Sequence, residues 1–198
     1  KKSTFLDLRD PTANEKLDGL LRDADIFVQG YRPGAIAKHG FGPEEVAAKR
    51  PGIIYVNLSA YGHVGPWSTW RGFDSLVQSA TGIVHEGMIE SGTNKPCPLP
   101  CQALDHATGY LAAFGAMIAL KRRLEEGGSW MVRVSLAQTG KWFDDLGRIE
   151  GLKTKKPARV EISDLLEKHD SPFGIIEHVR PPENFSETQP YWSTGSVP

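Results

Sequence analysis

The run Asp25-Ile26-Phe27-Val28-Gln29-Gly30-Tyr31-Arg32-Pro33-Gly34 decides the fold of this 198-residue chain. Its first half is β-branched and aromatic and stops at a glycine; its second half is a chain break, so a short buried strand followed by a turn is predicted. A second run of the same kind, Ile53-Ile54-Tyr55-Val56-Asn57-Leu58, lies downstream. Between the two, Ala35 to His39 suits a helical turn or two, and Pro43-Glu44-Glu45 opens a short helix ending near Arg50. Upstream, Asp10-Pro11 opens a helix of about 12 residues whose apolar stripe is Leu17, Leu20 and Leu21. Ahead of it Phe5-Leu6-Asp7-Leu8 reads as a strand already inside a sheet. Lys1-Lys2-Ser3-Thr4 runs into it without an initiator Met, so further residues are expected before it. Strand alternating with helix predicts an α/β fold, doubly wound around a mostly parallel sheet.

Further along, residues 59 to 72 are loop-like, and Phe73 to Ala80 reads as a helix stopped by Gly82. Gly87 to Pro100, with Gly, Asn and Pro, is expected to be an exposed loop. Asp105 to Glu126 is the most strongly helical segment and ends in Gly127-Gly128. Its front three-quarters is apolar all round, which predicts burial on most sides and close packing through Gly109, Ala113 and Ala116. Lys121-Arg122-Arg123 marks where it emerges into water. Trp130 to Ser135 follows as a strand and Leu136 to about Ile149 as a helix. Beyond Gly151 the character changes: Lys153 to Lys156 is basic, Ser163 to Lys168 suits one short helix, and Arg180 to Pro198 is rich in Pro, Ser and Glu. The expected division is therefore a core over 1–150, then a linker and an extended C-terminal arm over 151–198.

Composition excludes several classes. With 39% apolar and 24% charged residues the chain is neither disordered, collagenous nor a coiled coil. Lys plus Arg number 23 against 24 Asp plus Glu, a net charge of -1, so there is no basic excess for nucleic acid. The longest strongly apolar stretch, Leu111 to Leu120, is about half a membrane span, and no signal core opens the chain, so a cytoplasmic protein without a membrane partner is expected. Cys97 and Cys101 are interrupted by prolines and lack a second pair, which predicts no metal site; a disulfide across three residues would be strained, so buried free thiols are expected.

No P-loop, G-x-G-x-x-G turn, nucleophile elbow or H-E-x-x-H motif is present. That leaves carboxylates. Asp105 precedes the long apolar helix, where free backbone N–H groups and the positive end of the dipole favour its ionised form. Such a residue is either a helix cap or a nucleophile that needs no base to activate it. Asp74, after Gly72-Phe73, poses the same choice. His106 points about 100° away from Asp105 on the same helix and is read as structural. Gln29 to Gly34 sits where a strand ends, the edge at which α/β sheets collect ligands, and offers N–H groups, an aromatic face and a guanidinium; a plain surface turn is the alternative. Lys38 and Arg71 are cations that suit either phosphates or solvent.

In this order the pieces resemble the class III coenzyme A transferase family, which includes formyl-CoA transferase, carnitine CoA-transferase and α-methylacyl-CoA racemase. The resemblance rests on Leu6-Asp7-Leu8; Ala24 to Val28 into Tyr31-Arg32-Pro33-Gly34 and Gly40-Phe41-Gly42; Ile54-Tyr55-Val56 into Ser59-Ala60-Tyr61-Gly62 and Gly65-Pro66; Gly72-Phe73-Asp74 into Ala80-Thr81-Gly82; Leu104-Asp105 with Gly109 and Ala119-Leu120; and Val132 to Leu136. Pro181-Pro182, Ser186-Glu187-Thr188 and Trp192 resemble the family's C-terminal segment. The resemblance implies Asp105 as the nucleophile, acylated by acyl-CoA and then carrying CoA as an aspartyl thioester. It implies coenzyme A along Gly30, Tyr31, Arg32 and Lys38 with Arg71 near its phosphates, and interlocked homodimers or association with a homologous chain. The family's N-terminal strand and helix and most of its smaller domain have no match here, so the fold is expected to be incomplete relative to the family. Racemases of the family have His where this chain has Phe73, which cannot take a proton, so CoA transfer between carboxylic acids is favoured over racemisation. A non-catalytic half-subunit that completes a partner's fold is the other alternative.

Overall fold

A computed structural model describes residues 2–149 and 157–191. They fall into two units, 1–148 and 149–198. In the first, α1 (Pro11–Arg22), β1 (Ile26–Gln29), α2 (Pro43–Lys49), β2 (Ile54–Ser59), α3 (Asp74–Ala80), α4 (Ile83–Glu90), α5 (Ala103–Glu126), β3 (Trp130–Ser135) and α6 (Leu136–Asp145) follow in order, with a turn of 3-10 helix at Ala37–His39. The strands form one parallel sheet in the order β1-β2-β3, with Phe27 opposite Tyr55 and Tyr55 opposite Met131.

Alternation along the strands splits the core between the two faces of this sheet. Phe27, Tyr55 and Met131 face α1 and α2, where they meet Leu21, Ile36, Phe41 and Val46. Ile26, Ile54, Val56 and Val132 face α5 through Ala116 and Ala119. The Tyr55 hydroxyl donates to the Phe41 carbonyl at 3.0 Å, and burial, with Glu45 and Glu44 beyond it, pushes its pKa up to about 12. A third cluster joins α3, α5 and α6 through Val77, Leu104 and Leu136. Helices thus cover both faces of a mostly parallel sheet.

Polar contacts orient α5. At its C-terminal end Arg123 donates to Asp25 and to the Gly52 carbonyl, both at 3.0 Å, beside the starts of β1 and β2. The helix therefore runs against the strands, and its first turn lies at their carboxyl edge. Ser135 ends β3 and at once caps α6 by accepting from the Gln138 N–H at 3.2 Å.

Several expectations need correction. Residues 5–8 form no strand: Asp7 instead takes up Arg9 and closes a turn from the Asp10 N–H to its own carbonyl, 2.9 Å. The front of the segment expected to be a loop over 87–100 is helical, because Gly82, with φ 92°, restarts the chain as α4. Helix α5 is buried along one stripe only, Leu104, Thr108, Ala116 and Ala119, while Tyr110, Phe114, Met117 and Ile118 are exposed. By length and composition it is long and apolar enough to cross a membrane, yet its buried stripe is packed on the sheet. Cys97 is half-buried and Cys101 exposed, not buried as expected. α6 ends at Asp145.

In the second unit a 3-10 helix at Arg159–Leu165 gives way to β4 (Leu166–Ser171), where one α-helix over 163–168 was expected, and β4 pairs with antiparallel β5 (Gly174–Val179). Glu167 and His169 share one face and the exposed Lys168 and Asp170 the other, a pattern of period two rather than 3.6. Residues 180–191 carry neither helix nor strand. The basic run 153–156 and Trp192 lie outside the described residues.

Candidate functional site

The Pro-rich approach 97–102 delivers the chain to α5, where Asp105 is the third helical residue and is exposed. Gln102, at the cap position, provides no side-chain bond. That task falls to Asp74, the first residue of α3 and only 2% exposed, whose Oδ2 accepts the Asp105 N–H at 2.9 Å. Asp74 is thus a cap, as one of its two sequence readings held, but for the neighbouring helix rather than its own. Its Oδ1 accepts from Gln78 Nε2, one turn along α3. Gln78, also 2% exposed, accepts the Leu99 N–H on Oε1 at 2.9 Å and donates to the Cys101 carbonyl at 3.5 Å. Two buried side chains of α3 therefore hold the approach at Leu99, Cys101 and Asp105.

The electrostatics of Asp105 differ from expectation. Its pKa is raised, first by partial desolvation of the carboxyl and second by the Asp74 carboxylate; the opposing pull of His106 is smaller. The helix end supplies N–H groups, but the one it donates at this position goes to Asp74, and a second negative charge comes with it. Phe73, immediately before Asp74, is exposed.

A cavity of about 650 Å³ opens between α4, the approach and α6. Its walls include Ile83, Cys97, Leu99 and Phe143, with Glu86 and Arg148 paired at its rim. Its boundary is closely packed where α4 meets the approach, since a Cβ on Gly87 would run into the Cys97 carbonyl oxygen. Gly140 on its lining lies beside Leu104, the residue before Asp105, and Ile83 packs on the cluster that holds Leu104.

A second cleft, about 420 Å³, lies beyond the carboxyl end of β1. Tyr31 and Lys38 both line it, with Phe5, Arg9 and His39. Gly30, Arg32 and Arg71 are exposed and lie outside its lining. Tyr31 is held by Gln29, 5% exposed, which accepts the Tyr31 N–H on Oε1 at 2.9 Å and donates through Nε2 to Asn57. Gln29, Asn57 and Arg133 are register partners across the sheet, a polar row on the face that is otherwise apolar. Arg133 in turn lowers the pKa of His63, after the larger effect of burial. Gln29 was legible only as the first residue of the Gln29–Gly34 turn, with no role of its own, and Gln78 did not stand out in the sequence. The one signal for Gln29 was a lone amide at the end of a β-branched run; Gln78 had none.

Among the described residues no three His, Cys, Asp or Glu side chains gather to hold a metal ion.

The chain is similar to several known proteins. Residues 1–179 match the model of CoA-transferase family III. An acetyl-coenzyme A transferase of Hypoxylon pulicicidum is 32% identical over 87% of this chain. A Mycobacterium tuberculosis protein named "Probable fatty acyl-CoA transferase" is 33% identical over 69% of it. The chain spans 28% and 34% of the lengths of those two relatives. A crystal structure of the M. tuberculosis protein superposes with a TM-score of 0.66 at 31% identity, covering 74% of this chain and 41% of that one. A CaiB/BaiF family protein of Brucella suis, at 21% identity and the same TM-score, shares the fold over 88% of this chain.

Proposed function

Because this chain belongs to CoA-transferase family III, we propose that it takes part in moving coenzyme A between carboxylic acids, with Asp105 as the covalent nucleophile. The observation that carries this is the placement of one exposed carboxylate at the first turn of α5, on the strand edge that also holds the Tyr31–Lys38 cleft. An Asp105 oxygen attacks the thioester carbonyl of acyl-CoA, the C–S bond breaks, and a mixed anhydride and CoA thiolate result. The thiolate then attacks the aspartyl carbonyl, releasing the donor acid and leaving an aspartyl-CoA thioester. An acceptor carboxylate reverses both steps and regenerates Asp105. No proton changes hands, so the reaction needs an ionised carboxylate rather than a base. A raised pKa makes that carboxylate more basic and thus a stronger nucleophile once ionised.

Coenzyme A is assigned to the cleft, its adenine against Tyr31 and its phosphates toward Lys38, with Gly30, Arg32 and Arg71 alongside. Wall residues of the neighbouring cavity from the 97–100 approach set acyl specificity in this reading. Phe73, unable to accept a proton, argues against racemisation at the same site. The exposed apolar row Phe114, Met117 and Ile118 supports a second chain, a copy of this one or a homologue, against α5. A cytoplasmic location belongs to the same proposal.

The test is covalent trapping. On incubation with acyl-CoA and hydroxylamine, mass spectrometry should find a hydroxamate at Asp105, and Asp105→Ala should lower turnover by about 10³-fold or more. Turnover with Asp105 unmodified would remove it from the role of nucleophile.

A further inference from the structure

The nucleophile of the proposed reaction is an exposed side chain at the end of a Pro-rich approach, and the fold must hold it still. Leu99, Cys101 and Asp105 are each tied by a backbone group to Asp74 or Gln78. These two are among the most deeply buried polar residues of the chain and are bonded to each other. Asp74 carries a formal charge into an apolar setting beside Val77 and Leu104, which is costly unless its acceptors are filled. Two donors fill them: the Gln78 amide and the Asp105 N–H. The Gln78 amide is used in full directions, its oxygen toward Leu99 and its nitrogen toward Asp74 and Cys101. Helix capping alone needs only an acceptor at Asp105; it does not need the second residue, nor bonds at Leu99 and Cys101.

We propose that Asp74 and Gln78 form a positioning clamp on α3 that fixes Asp105, and with it the Leu99 wall of the neighbouring cavity, in the geometry that acyl transfer requires. The proposal rests on Asp105 being the nucleophile. Leu99 lines the cavity and shares the clamp with Asp105, so the acyl-facing wall and the nucleophile move as one body. Neither clamp residue is exposed, so both are positioning residues rather than catalytic ones.

The clamp also acts on charge. Partial desolvation raises the Asp105 pKa first, Asp74 from α3 adds to it, and His106 on α5 itself opposes them. The ionisable groups of α6, Lys141, Asp144 and Asp145, are engaged in ion pairs with one another and with Arg148. Because Asp105 must be ionised to attack, acylation fails as pH falls through its pKa, and the raised pKa puts that failure at higher pH than an ordinary carboxylate would. Asp74→Asn removes the charge and leaves one oxygen for the Asp105 N–H, giving up the acceptor that Gln78 Nε2 uses, so the acid limb should move to lower pH.

The experiment compares the unaltered full chain with Asp74→Asn and Gln78→Met. The Asp105 carboxyl is titrated by carbon NMR, and the rate of its acylation by acyl-CoA is followed across pH. Expected are a lower Asp105 pKa and a shifted acid limb in Asp74→Asn. In Gln78→Met, with the charge intact, acylation should slow about tenfold or more at every pH and the Leu99 amide should exchange faster. An unshifted titration in Asp74→Asn, or acylation within twofold of the unaltered rate in Gln78→Met, would overturn the clamp. If Asp74→Asn fails to fold, Gln78→Met decides by its rate and by Leu99 exchange. If the unaltered chain is never acylated at Asp105, the nucleophile assignment fails instead, and the NMR titration together with Leu99 exchange still decides whether the clamp exists.

Discussion

Tyr31 and Lys38 face one cleft because the backbone between them turns back on itself through Pro33-Gly34, with Gly34 at φ 80°. The sequence showed both residues but not that they share a cavity. If coenzyme A occupies it, Lys38→Ala should weaken binding about tenfold, as expected for losing one charge-assisted contact. Tyr31→Ala should remove about 1–3 kcal/mol of stacking; calorimetric titration with coenzyme A measures both. Affinity unchanged in both variants would place the coenzyme elsewhere. Asp105 was legible as a residue worth naming, since a carboxylate before a long apolar helix is visible in one dimension. Its charge state was not. The sequence places it beside helix N–H groups, which favour ionisation, whereas the partial burial that mainly reverses the balance, and the Asp74 carboxylate that adds to it from 31 residues away along the chain, come only with folding.

At the scale of elements, α1, β1, α2, β2, β3 and the body of α5 were readable because each carries its own signal: a cap, a Pro at the first turn or a β-branched run. α4 and the β4–β5 hairpin were not. The first is broken by Gly87 and the second is mostly polar, so local pattern speaks against both. The packing of α5 shows the same limit. Gly109 was expected at a close approach, but a Cβ there would meet nothing within 4 Å. The close approach is at Gly115, where a Cβ would lie 2.6 Å from Val132 Cγ1. Valine is stiff at χ1 and cannot swing aside. Gly115→Ala should therefore cost about 1–3 kcal/mol, seen as a lower melting temperature. Gly109→Ala should raise stability by up to about 1 kcal/mol through helix propensity. The opposite ranking of the two would mean that α5 does not lie on β3 as described.

Over the whole molecule the prominent feature is exposed apolar surface on α5 at Phe114, Met117 and Ile118. Sedimentation should show concentration-dependent association, and Phe114→Glu should abolish it while changing the melting temperature little, since Phe114 is exposed in the isolated chain. A monomer at all concentrations would refute the second chain proposed against this face. The sequence by itself determined the fold class, because alternating strand and helix signals admit few other packings, and it determined the chemistry on offer, because only carboxylates and a turn rich in N–H groups stood out. Tertiary structure alone decided which groups act together. Asp74 meets Asp105, Gln78 meets Leu99, and Tyr31 and Lys38 line one cleft through folding back of the chain, and such groupings leave no periodic trace along it. It also decided that α5 hides one stripe and not all sides, since a helix that is apolar all round says how much surface it can bury but not how much its neighbours can cover.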